Sequence, residues 1–181
     1  YGALSDVEYW IEAEDLVTGT TRTWHNPAGE LCGDADTEAF PGTAFPGIAF
    51  PEPVTGSALR PASPTPTKTD GTGCATDENS LCLLDRFRVT VDWATETTSG
   101  PGRAVPVTGE TGLFWFFDEN NLELMIKILD GRDINGRFWV YYGALSDVEY
   151  TIRVLDTETD TEVIYHNPTG NLCGSADTDA F

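Results

Sequence analysis

Basic residues are scarce in this chain. Ten Lys and Arg stand against 30 Asp and Glu, a formal charge of −20. Nucleic acid and anionic membrane surfaces both require a basic face, so neither is an expected partner. No apolar run approaches the roughly 18 residues of a membrane-spanning helix, and no membrane span is expected. Histidine is scarcer still: His25 and His166 are the only two, each inside a His-Asn-Pro turn. The chain carries no G-x-S-x-G elbow, no phosphate-binding G-x-x-x-x-G-K-[ST] loop and no H-E-x-x-H. Carboxylates are too abundant for Asp118-Glu119, or Asp130 with Asp133, to mark a glycosidase pair. No enzymatic activity is expected. No long stretch follows the 3.6-residue period of a helix, which points away from an α fold.

What the chain has is a repeat. Residues 1–40 align without a gap on residues 142–181, Tyr1 on Tyr142 through Phe40 on Phe181. About 25 of these 40 positions are identical, and self-similarity at a fixed offset marks a repeat architecture. The chain opens in mid-pattern at Tyr1, and Tyr142 restarts that pattern. It reads as one full period plus the start of the next.

Cysteines occupy positions 32, 74, 82 and 173. Cys32 and Cys173 are one position in two copies. No Cys-x-x-Cys or Cys/His cluster has zinc spacing. Cys74 and Cys82 flank a short loop and are the expected disulfide, which implies an oxidising, extracellular setting. Cys32 and Cys173 are then buried thiols or crosslinks between repeats. The rival pairs Cys32 with Cys74 or Cys82 across the linker.

The remaining pattern is β. Val7, Tyr9, Ile11 and Ala13 alternate with Glu8, Trp10, Glu12 and Glu14, as in a half-buried strand. Thr18-Gly19-Thr20 breaks the run and Thr21–Trp24 resumes it, so a hairpin is expected. Asp34, Asp36 and Glu38 alternate next. On a strand they share a face, and their oxygens suit calcium, although a solvated edge is the simpler reading. The DGRDING loop offers Asp130, Asp133 and Asn135 for the same purpose, with a hairpin turn as the default. No cofactor beyond such a calcium is expected.

Residues 41–73 read as a Pro/Gly/Thr-rich linker. The five-residue repeat Ala-Phe-Pro-Gly-x sets Phe40, Phe45 and Phe50 in register, and Pro excludes a helix or central strand there. A plain spacer has no use for a large ring every five residues. These rings are therefore expected to dock on this domain or a neighbour.

Beyond Cys74 the strand signals are dense. Phe87, Val89, Val91 and Trp93 alternate with polar residues. Ser99–Gly102 reads as a turn. Ala104–Val107 is short, and Pro106 makes it an edge. Leu113–Phe117 is apolar on both faces. Leu122, Leu124, Ile126 and Ile128 form one stripe, and Phe138, Val140 and Tyr142 another, leaving Trp139 and Tyr141 on the opposite side. The second copy adds Val148, Tyr150, Ile152 and Val154, an acidic turn, and Val163–Tyr165. The expected fold is all-β: an antiparallel, Ig-like β-sandwich over 74–181.

The run FRVTVDW…GRAVPVTGETGLFWFFDENNLELMIKILDGRDINGRFWVYYGALSDVEYTI…YHNPTGNL…DTDAF resembles a β-sandwich repeat of large secreted bacterial proteins. Cys74 and Leu81-Cys82-Leu83 stand where that family has a C…LCL segment before its first strand. The likeness spans 74–181, and its back half recurs in 1–40. It implies fold and secretion and brings no catalytic activity. Cys32, Cys173 and the Ala-Phe-Pro-Gly repeat depart from it.

If 74–181 is one sandwich, residues 1–40 are the C-terminal half of another, without its front strands. A two-stranded hairpin is marginal in water, so 1–40 is expected to find a partner resembling 74–141. Either the chain is a window on a tandem array, or its first forty residues insert into another chain. Both make a line of beads, and the expected function is a structural segment of an extracellular filament whose partners are its own copies. Val7, Tyr9, Ile11, Trp24, Phe40, Phe45, Phe50, Trp115, Trp139 and Tyr141 are the expected inter-repeat contacts. The alternatives are a secreted carbohydrate- or surface-binding module, with Trp115, Trp139 and Tyr141 as an aromatic platform, and an accessory domain of a secreted hydrolase.

Overall fold

The computed structural model describes residues 1–40 and 73–181. Strands dominate, and all of their pairings are antiparallel. Strands β1 (Tyr9–Asp15) and β2 (Thr20–Asn26) form the expected hairpin, with Ile11 opposite Trp24. Gly19 in the turn has φ 70°, a left-handed value that a glycine adopts without steric cost.

The rest of the described chain builds two five-stranded sheets. The first runs β11-β10-β4-β3, from β3 (Ser80–Leu83), β4 (Phe87–Ala94), β10 (Glu149–Asp156) and β11 (Thr161–Asn167). A short β5 (Ser99–Pro101) also pairs with β4. The second runs β12-β9-β8-β7-β6, from β6 (Arg103–Pro106), β7 (Thr111–Trp115), β8 (Leu124–Gly131), β9 (Arg137–Ala144) and β12 (Ser175–Asp177). One apolar cluster joins them. Phe87, Val89, Val91, Tyr150, Ile152 and Val154 from one sheet meet Phe114, Leu124, Ile126, Ile128, Phe138 and Val140 from the other. These are the period-two stripes, and alternation is what puts every second side chain on the buried face. β6 lies at a sheet edge, where Pro106 has no ladder bond to forfeit.

Four local expectations are corrected. Ser80–Leu83 is a strand against β4, where the sequence reads as the end of a loop; Leu81 and Leu83 are wholly buried. Ser99–Pro101 is a strand and not a turn, because it finds Asp92–Ala94 as a partner. Within DGRDING, Arg132–Asn135 makes one helical turn, α1, ended by Gly136 at φ 78°. Asp34, Asp36 and Glu38 are not on a strand. The counterparts of Asp34 and Asp36, Ser175 and Asp177, lie in β12 only because β9 is beside them. The first copy offers only Tyr1 at that place: Asp34 N–H donates to the Tyr1 carbonyl oxygen at 2.9 Å.

Candidate assembly interface

The two copies hold the same local structure in different surroundings. Asn26 and Asn167 are both buried, and each side-chain amide donates to a carbonyl oxygen four residues on, in Glu30 and Asn171. Trp24 Nε1–H donates to Asp36 at 3.2 Å, and Tyr165 Oη–H to Asp177 at 2.8 Å.

In the second copy, β10 lies between β11 and β4. Tyr150, Ile152, Val154 and Asp156 are all buried there. Arg86 meets the Asp156 carboxylate with two hydrogen bonds of 2.7 Å each. That bidentate contact is the main cause that holds Asp156 down at about 2. Further bonds to Asp156 come from the Thr159 hydroxyl and the Glu158 N–H.

In the first copy, β1 pairs with β2 and with no other strand among the described residues. Its second edge meets no strand among the described residues. Tyr9, Ile11, Ala13 and Asp15 match the four buried positions of β10 and are only half-buried. Asp15 keeps the local bonds of Asp156, from Val17 N–H at 2.9 Å and Thr18 Oγ1–H at 2.7 Å. These lower its pKa, led by the threonine bond. The guanidinium seen at Asp156 has no equivalent there: no salt bridge to Asp15 occurs among the described residues. Beside β1 opens a cleft of about 340 Å³, lined in part by Tyr1, Ile11, Trp24, Asp36 and Leu145. The matching residues Tyr142, Ile152 and Tyr165 face the core of the complete body. The cleft thus stands where the second copy has core, and no opposite sheet covers it among the described residues.

The hairpin is nonetheless anchored on its own chain, at the matching segment 172–174 and not at strands like those of 74–141. A disulfide joins Cys32 to Cys173, and a second joins Cys74 to Cys82. Gly33 N–H donates to the Leu172 carbonyl oxygen at 2.8 Å, and Gly174 N–H to that of Leu31 at 2.7 Å. Two disulfides call for a non-reducing environment.

The other expected contacts scatter. Val7 is 62% exposed. Tyr9, Trp24 and Phe40 are half-buried, and Phe45 and Phe50 lie outside the described residues. Trp115, Trp139 and Tyr141 are half-buried on the outer face of the second sheet. They do not form one platform. Strand register puts Leu113 across β8 from Gly143, so Trp115 lies about six residues, ~20 Å, along the sheet from Trp139. Trp139 Nε1–H donates to Asn135 at 2.9 Å, and the Lys127 ammonium stands 4.7 Å from the Tyr141 ring centre. Burial, then nearby Asp6, raises the Tyr141 pKa. As for calcium, no three or more His, Cys, Asp or Glu side chains among the described residues gather to hold a metal. Asp130 is engaged by Arg132, which holds it at about 2.

Sequence reasoning missed Asp15 and Arg86; of its two alternatives for Cys32 and Cys173, the crosslink between repeats is the one found, within a single chain. Asp15 and Asp156 are identical across copies, and that was the available signal. Among the described residues, no helix is long and apolar enough to cross a membrane. No family model, curated protein or solved structure matches the chain.

Proposed function

We propose that this chain is a structural segment of an extracellular filament. Ig-like β-sandwich repeats, joined by the Pro/Gly-rich linker 41–73, assemble by strand complementation. One observation carries this reading: the residues that β10 buries completely are left half-covered on β1, beside an edge that meets no strand among the described residues. An unpaired edge with an apolar face is a template for another strand. The strand it takes is of the β4 type, with an arginine in the place of Arg86 reaching Asp15. In this chain β4 already has β10 and β3 beside it. β1 is therefore completed by a further repeat, or by another chain that exchanges its β10 for β1.

A head-to-tail contact of this kind propagates without closing. The filament's partners are then copies of the same repeat. The carbohydrate-binding alternative has weaker support, because its three aromatic rings are spread along the sheet. Electron microscopy of native material, beside its intact mass under non-reducing conditions, tests the reading. Filaments with a bead-like repeat are expected. Discrete monomers at high concentration would overturn it.

A further inference from the structure

The contact between the two copies is reciprocal. Gly33 donates to Leu172, and its counterpart Gly174 donates to Leu31, the counterpart of Leu172. Cys32 bonds to its own counterpart, Cys173. A Cβ at Gly2 would stand 2.5 Å from the Ala144 carbonyl oxygen and 2.9 Å from Leu145 Cδ2. A Cβ at Gly143 would stand 2.5 Å from the Ala3 carbonyl oxygen and 3.5 Å from Leu4 Cδ2. Every partner is thus exchanged under one operation, a local two-fold axis through the disulfide. The glycines allow two backbones to approach to a distance that no side chain permits.

The residues of this face are also the same in both copies. Gly-Ala-Leu occurs at 2–4 and 143–145, and Leu-Cys-Gly at 31–33 and 172–174. The copies differ instead along β1 and β10, where Trp10, Glu12 and Ala13 replace Thr151, Arg153 and Val154.

We propose that Gly-Ala-Leu and Leu-Cys-Gly together form a self-complementary docking face, whose partner is a second copy of the same face. Because the contact is isologous, replacing either copy by one from another chain leaves every bond in place. The face joins copies in cis within a chain and in trans between chains. The lock is one disulfide. Two thiols lose two protons and two electrons to a disulfide oxidant of the glutathione class, which leaves as two thiols. Each copy has one such face and one such cysteine, so one contact joins two copies. In cis it occupies both faces of the chain and leaves neither to propagate a filament. That task falls to the open edge of β1, a separate surface, and the present proposal stands without it.

The symmetry supplies the test, with each chain held with oxidised glutathione at high protein concentration. Gly2→Val/Cys32→Ser spoils the first face and leaves the second free, with Cys173 as its thiol. Gly143→Val/Cys32→Ser spoils the face that carries Cys173. The three atoms nearest either added Cβ all belong to the other copy. The first variant is expected to form Cys173–Cys173 dimers, and the second to stay monomeric as a mixed disulfide with glutathione. Equal dimerisation of both, or of neither, overturns the proposal.

A mixture of the single variants Cys32→Ser and Cys173→Ser gives a second reading that involves no valine. A face that does not distinguish the copies yields 173–173, 32–32 and 32–173 crosslinks, counted by peptide mapping, in roughly statistical proportions. Exclusive 32–173 crosslinks refute self-complementarity. Filament imaging reports on strand completion separately, so the two ideas can fail independently.

Discussion

The same substitution at Ile152 and at Ile11 should have very different costs. These are one position of the repeat, at the centre of β10 and of β1. Ile152 is wholly buried, with β4 and β11 on either side and the opposite sheet above it. Ile152→Ala removes buried methyl and methylene groups and leaves a cavity, a loss of ~2–5 kcal/mol. Ile11 is half-buried on the open cleft, where water already reaches. No sealed cavity forms, and half the burial at ~0.8 kcal/mol per methylene puts Ile11→Ala near ~1 kcal/mol.

Urea unfolding of dilute, monomeric protein measures the first cost. Hydrogen exchange of the β1 and β2 amides measures the second, since a hairpin can open without the body. In assembled material the Ile11 cost should rise toward that of Ile152. An extra ~2 kcal/mol raises the concentration needed for assembly roughly 30-fold. If Ile11→Ala costs as much as Ile152→Ala in the dilute monomer, the face is already covered and the case for an open edge fails.

Other consequences follow from particular contacts. Asp156 sits at about 2 against an ordinary 3.8. The depressed value means that its contribution, about 2 kcal/mol, is complete above pH ~4 and disappears as pH falls toward 2. Asp156→Asn should flatten that part of the acid-unfolding curve, and an unchanged curve would exclude the Arg86 pair as its source. A Cβ at Gly131 would stand 2.2 Å from the Trp139 ring. Gly131→Ala should thus displace the indole from Asn135, shift tryptophan emission to the red and cost ~1–3 kcal/mol. Cys32→Ser/Cys173→Ser should leave the body's melting temperature nearly unchanged while β1–β2 amide protection falls toward that of an unfolded chain, because a lone hairpin is marginal. Retained protection would mean that the Gly33–Leu172 and Gly174–Leu31 bonds hold the hairpin without the disulfide.

Much of the body was legible from period-two alternation. Phe87–Trp93, Leu124–Ile128, Phe138–Tyr142 and Tyr150–Val154 are buried where the pattern puts them, because a pleated strand between core and solvent has no other way to arrange its side chains. β3, β5 and β12 were not legible. Each has three or four residues, too few to show a period, and each is a strand only because a longer neighbour offers an edge. The repeat itself was also legible, and with it the mismatch between a hairpin's apolar face and its lack of partners.

How the two copies meet was decided by tertiary structure alone. Identity between 1–40 and 142–181 fits beads related by translation as well as beads related by rotation. Which occurs depends on backbone approach at Gly2 and Gly143 and on the geometry that brings Cys32 to Cys173, and neither is written in any local pattern. The chain's own residues determined that the hairpin's apolar positions recur at the core positions of β10. Only the packed molecule decided that the hairpin's base is locked while β1 meets no further strand among the described residues, because burial depends on neighbours distant in sequence.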